Sequence, residues 1–194
     1  MANIKTRAVT ETEYKQIITA LRSGFVLPSG RRIRPNEPIA TALTLEANLG
    51  MRISDVLNLR LENIVYEGGR YHLSINEQKT HKDRTFTVPQ EVYSYIYNYM
   101  VQRGLTPSQK LFDISARMVQ KYLKLTCEYL SIKGAISSHS FRKFYAQKIF
   151  ENNSQNIELV RELLQHSSIA VTQHYIGVDS KVVENAIQNH VYLP

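Results

Sequence analysis

Residues 64–78 read IVYEGGRYHLSINEQ. Two short runs flank Gly68 and Gly69. Each run alternates apolar and polar residues, and such alternation separated by a two-residue turn signal predicts a β-hairpin. The stretch DRTFTVP at 83–89 supplies a third run, closed by Pro89. Residues 63 to 88 are therefore expected to form a small antiparallel sheet of three strands. Without this stretch the chain would read as all helix. With it, the fold class is mainly α with a small three-stranded antiparallel β-sheet, an α+β protein.

Working outward from the hairpin, TETEYKQIITALRSG at 10–24 reads as a helix. Thr10 stands as N-cap, Glu13 three residues later completes a capping box, and Gly24 is the stop. The Gly-, Pro- and Arg-rich stretch FVLPSGRRIRPNEP at 25–38 reads as a loop. NEPIATALTLEANLG at 36–50 is the next helix, with Pro38 in its first turn and Gly50 at its end. ISDVLNLRLENI at 53–64 suggests a further short helix, with Ser54 near its start. Beyond the sheet, helices are expected over about 90–103, 115–131, 139–152, 156–165, 168–175 and 180–189. One domain over residues 1–194 accounts for this pattern: a lead-in helix and loop to residue 35, the sheet insert, and a C-terminal helix or tail over 178–194.

The chain has 194 residues, enough for one substantial core. It carries 24 Lys+Arg against 17 Asp+Glu, a net charge of +7. That excess favours a polyanionic partner. No apolar run is long enough to span a bilayer, so no membrane partner is expected. The N-terminus lacks the apolar core of an export signal. Cys127 is the one cysteine. It excludes an intrachain disulfide and a cysteine-rich zinc site, and fits a reducing cytoplasm.

Several segments carry residues capable of chemistry, and each has an ordinary alternative. In HSFR at 139–142, His139 and Arg142 lie three apart and share a helix face; any surface helix offers such a pair. Arg52 follows Gly50 at a helix junction, as either a snorkelling side chain or a positioned cation, and Asp55 stands three residues on to orient it. Lys79 lies where the second strand turns toward the third; there it is either a solubilising charge or a group aimed at phosphate. In LLQHSSIAVTQHYIG at 163–177, His166 ends one helix and Tyr175 lies nine residues later in the next. A core tyrosine with its hydroxyl satisfied is the usual reading for such a residue. His174, beside Tyr175, points about 100° away around an ideal helix and reads as a surface or packing residue.

Taken in order, these segments resemble the tyrosine recombinase (phage integrase) family, and its catalytic domain in particular. The resemblance is carried by Arg52 in LGMRISDVLNL, Lys79 in EQKTHKDR, His139 and Arg142 in HSFR, His166 in LLQHSS, and Tyr175 in VTQHYIG. It runs from about residue 40 to residue 177. Two positions depart from the family pattern. Gln165 stands where a Leu-Gly-His glycine is usual, and Phe141 stands where His-x-x-Arg often has leucine. The chain also has no room for the N-terminal helical core-binding domain that many members use to clamp DNA.

The resemblance implies cleavage and rejoining of double-stranded DNA through a covalent 3′-phosphotyrosine intermediate, without metal, cofactor or ATP. In-line attack on a phosphodiester adds negative charge to its non-bridging oxygens, and something must neutralise it. The sequence has no acidic cluster at metal-ligand spacing, which leaves protein cations. Arg52 and Arg142 are the candidates, since a guanidinium grips phosphate through paired hydrogen bonds. His139 and His166 add donors, Tyr175 is the nucleophile, Lys79 the acid for the leaving 5′ oxygen, and Asp55 a support for Arg52 or the His139 region. Arg31, Arg32, Arg34, Lys82, Arg84 and Lys143 are candidate DNA contacts. The family's tetramers on DNA imply homo-oligomerisation, with monomers in isolation. Val182, Val183, Ala186 and Ile187 offer an apolar stripe, either for a neighbour or for the chain's own domain. Two other readings use the same fold: a DNA-binding regulator without catalysis, and a type IB topoisomerase-like nicking and closing enzyme.

Overall fold

The computed structural model describes residues 6–76 and 83–176. Lys79, Lys82 and the helix expected beyond residue 177 lie outside them, as do the side chains of Arg84 and His174. The described chain falls into two compact units, residues 1–145 and 146–194, and the division lies inside one helix.

In the first unit, helix α1 spans Glu11–Ser23. The Thr10 hydroxyl accepts the Glu13 N–H at 3.1 Å, and the Glu13 carboxylate accepts the Thr10 N–H at 2.8 Å. Two otherwise orphaned donors are thereby satisfied, as the sequence predicts. The next segment departs from expectation. Strands β1 (Phe25–Val26) and β2 (Arg32–Ile33) pair antiparallel, Phe25 opposite Ile33, where the sequence suggested a plain loop. Burial of Phe25, Leu27 and Ile33 holds this ribbon down.

Helix α2 (Glu37–Leu49) starts at Asn36, whose side chain accepts the Ile39 N–H, and stops at Gly50 in the left-handed conformation, φ 58°. Glycine is needed there twice over. A left-handed φ strains any other residue, and a Cβ at Gly50 would lie 2.4 Å from the Tyr145 ring. Helix α3 is a single turn, Ile53–Val56, followed by a 3₁₀ turn at Leu61–Asn63. One short helix across 53–64 was expected. It breaks because Asn58 and Leu59 donate back to Asp55 and Val56, tightening the last turn, and Arg60 then leaves the helix to bridge Lys110.

The three-stranded sheet forms as predicted, in the order β3 (Ile64–Glu67), β4 (Arg70–Asn76), β5 (Asp83–Val88). Glu67 pairs with Arg70, so Gly68 and Gly69 make a two-residue turn with φ 57° and 79°. Positive φ at both positions is the I′ geometry that matches strand twist. Leu73 sits between Ile64 and Phe86 and is fully buried. Helices α4 (Gln90–Gln102) and α5 (Ala116–Tyr129) follow. Ile17, Leu21, Ile39, Leu43, Ile96, Leu123 and Phe141 share one core. Each such burial contributes about 1.5–3 kcal/mol. Helix α6 (His139–Asn152) begins in this unit.

In the second unit, α7 (Ile157–Leu164) and α8 (Ile169–Ile176) pack together over buried Val160, Leu164, Thr172 and Ile176. The side-chain amide of Gln147 donates to the Ile176 carbonyl at 3.0 Å and secures the end of α8.

Candidate active site

The first unit brings two of the expected cations to one junction. Arg142, in the first turn of α6, is only 1% exposed. Its Nη1 donates to the Gly50 carbonyl at 2.7 Å. Gly50 caps α2, so this guanidinium sits against the partial negative charge at a helix C-terminus. Arg52 follows two residues later as the N-cap of α3, half-buried. A left-handed glycine thus turns the chain so that the carbonyl holding Arg142 and the residue Arg52 are near neighbours. Asp55 lies in the same turn of α3 and is buried. His139 opens α6 and is exposed, while Arg142, three residues on, is buried.

The same unit holds a carboxylate that reading the sequence overlooked. Glu46, on α2, is 1% exposed. Burial pushes its carboxyl well above the usual range; the charge of Arg142 and a hydrogen bond from the Ile53 N–H act the other way. The signal was present in the sequence: Ile39, Leu43, Glu46 and Gly50 fall on one helical row.

The basic candidates separate. Arg31, Arg32 and Arg34 are all exposed around the β1–β2 ribbon. Lys143 is not at the open surface proposed for a DNA contact. It is 8% exposed, and its ammonium donates to the Thr6 carbonyl at 2.8 Å. The reason is the chain segment 6–9, which crosses the start of α6. There Arg7 N–H donates to Ala135, Val9 N–H to Ser140, and the Arg7 guanidinium to the Lys133 carbonyl. Arg7 also grips Glu13 through two hydrogen bonds, which hold that carboxylate below its usual pKa.

The second unit brings His166 and Tyr175 together. Their rings meet edge to face, centroids 4.9 Å apart at 74°. Both residues are half-buried, and the phenolic oxygen is shielded from solvent. His166 follows Gln165, which caps α7 in the left-handed conformation, φ 52°. Gln165 therefore adopts a left-handed turn that a glycine would take more easily. His166 Nδ1 lies 3.1 Å from the Thr172 hydroxyl, and that hydroxyl donates to the Ser168 carbonyl at 3.3 Å. With its proton on that carbonyl, the Thr172 hydroxyl can accept from Nδ1–H, the tautomer that keeps Nε2 as the basic nitrogen.

Among solved structures, the chain is similar to a XerH site-specific recombinase bound to a palindromic difH substrate in a post-cleavage complex. The TM-score is 0.71 at 17% identity, covering 96% of this chain and 53% of that one. It is also similar to a lambda integrase dimer bound to a COC′ core site, with TM-score 0.69 at 15% identity, covering 91% and 49%. At such identities these likenesses establish the fold. In sequence, the chain is 28% identical over 193 residues to the tyrosine recombinase XerA of Pyrococcus furiosus, covering 94% of this chain and 61% of that protein. A tyrosine recombinase of Pseudothermotoga lettingae is 27% identical over 137 residues, 66% of this chain and 46% of that protein. The chain thus spans about half the length of these relatives. The model of the phage integrase family matches residues 7–181, a span that takes in both the buried arginine junction and the His166–Tyr175 pair, and the chain belongs to that family.

Proposed function

We propose that this chain carries the catalytic machinery of a site-specific DNA recombinase, which cuts and rejoins strands through a covalent link to Tyr175. The observation that carries the reading is the ring contact between His166, in the turn after α7, and Tyr175, on α8, of a phage integrase family member. The relatives' complexes with DNA support duplex DNA as the substrate.

In this mechanism Arg52 and Arg142 bind the non-bridging oxygens of the scissile phosphate, with His139 as a further donor. The Tyr175 hydroxyl attacks phosphorus in line. A tyrosyl O–P bond forms to the 3′ phosphate as the P–O5′ bond breaks. The phenolic proton passes to a base, for which His166 Nε2 is suited by the tautomer its Nδ1 contact favours. The 5′ oxygen leaves as a hydroxyl, protonated by Lys79. The number of phosphodiesters is conserved when another 5′ hydroxyl reverses the step, so no metal, cofactor or ATP enters. Exchange between two sites needs several such centres, hence a homo-oligomer, a tetramer, assembled on DNA. Asp55 supports Arg52 from within α3, and Arg31, Arg32 and Arg34 contact the DNA backbone.

The test is incubation with nicked duplexes from the DNA flanking the gene, followed by denaturing electrophoresis. A covalent protein–DNA band that Tyr175→Phe abolishes is the expected result. A band that survives this change puts the nucleophile elsewhere, and no band with any flanking duplex defeats the reading.

A further inference from the structure

The buried carboxylate of Glu46 has no place in the mechanism above, yet it stands at the junction that mechanism depends on. It lies one turn before the end of α2, and its backbone carbonyl accepts the Gly50 N–H that closes the helix. Its side chain is 1% exposed. The carboxylate accepts the Ile53 N–H, the first amide of α3, and interacts electrostatically with the Arg142 guanidinium. Arg52, the N-cap of α3, makes no side-chain cap of its own, so a side chain from the preceding helix caps the turn in its place. The second carboxylate oxygen, Oε2, is buried without a hydrogen-bond partner among the described residues. A buried acid in an apolar row is costly unless its charge or its hydrogen bonds are used.

We propose that Glu46 is a positioning residue for strand cleavage, fixing the start of α3, and with it Arg52, relative to the Arg142 guanidinium. This rests on the strand-exchange reading, because it assigns the two arginines to one phosphate. Arg142 donates to the Gly50 carbonyl and interacts electrostatically with Glu46. Arg52 is held through the backbone of the next residue. One acid therefore sets the spacing of two cations that approach from different helices. At 1% exposure its side chain is closed off from a substrate, so it acts through the groups it holds.

Glutamine at this position keeps an acceptor for the Ile53 N–H and gives up the charge; alanine gives up both. Three quantities separate positioning from plain structure: the single-turnover rate of adduct formation at saturating nicked duplex, the Kd for that duplex, and Tm. Glu46→Gln is expected to slow the rate about tenfold and Glu46→Ala about a hundredfold. Affinity should hold within about twofold in both, because many dispersed phosphate contacts carry it. An unchanged rate in Glu46→Gln overturns the proposal, and so does a rate that falls only as far as Kd and Tm fall with it.

A measurement that needs no reaction stands beside these. In chain labelled with ¹⁵N-arginine, the Arg142 Nε–H signal, assigned by its loss in Arg142→Lys, should exchange with solvent faster in Glu46→Gln than in the parent. Equal exchange overturns the positioning role. A parent chain that forms no Tyr175-dependent adduct defeats the strand-exchange reading alone, and the exchange rates then decide Glu46 separately.

Discussion

The Nδ1 of the His166 imidazole lies 3.1 Å from the hydroxyl of Thr172, six residues later. The bond spans the turn between α7 and α8 and fixes the ring while its edge contacts Tyr175. Thr172 is fully buried, so a near-isosteric change can remove the hydroxyl with little loss of packing. Thr172→Val is expected to slow adduct formation about ten- to a hundredfold, the range seen when metal-binding histidines lose an orienting partner. Thr172→Ser should keep most of the rate. Single-turnover gels on nicked duplex check both, and equal rates in Thr172→Val and parent would remove the tautomer argument.

Gly50 meets two constraints at once, its positive φ and the Tyr145 ring 2.4 Å from where a Cβ would stand. Gly50→Ala should destabilise the protein by about 2–4 kcal/mol, from a left-handed alanine and from overpacking together. It should also move the carbonyl that holds Arg142. Chemical denaturation measures the first effect and adduct yield the second.

Gln165 presents the opposite case. It carries a left-handed φ with a side chain, and its Oε1 is buried without a partner among the described residues. Gln165→Gly should raise stability by about 0.5–1 kcal/mol, the relief of strain exceeding the added freedom of the unfolded chain. A shift in the denaturation midpoint at constant slope would verify it.

Arg7 holds Glu13 below its usual pKa, first through their hydrogen bonds. A carboxylate with a depressed folded value adds stability that is complete above the unfolded pKa of about 4.3 and is lost as pH falls through the lower folded value. The melting temperature of the parent should therefore drop across the acid range more steeply than that of Glu13→Gln. Thermal scans between about pH 6 and pH 2 compare the two slopes.

Local chemistry made much of the fold legible. The Thr10–Glu13 capping box, the Gly68-Gly69 turn and the stops at Gly24 and Gly50 are each decided by a few adjacent residues. The 53–64 segment misled because Arg60 leaves the helix to bridge Lys110, fifty residues away, and only the surroundings reveal that. The β1–β2 ribbon is too short for two-residue strands to show periodicity. Within the candidate site, the types and order of Arg52, His139, Arg142, His166 and Tyr175 were readable. That Arg142 would be buried against Gly50, or that Lys143 would turn inward to Thr6, was not. Both depend on segments distant in sequence, and nothing near residue 142 announces residue 50.

The strap formed by residues 6–9 has a practical consequence for anyone handling this polypeptide. Its main chain and its arginine are stitched to the loop and first turn that present His139 and Arg142. Proteolytic nicking or genetic trimming ahead of Val9 would remove those bonds at the helix's root, so an affinity tag is better designed with a cleavage scar that spares these few residues.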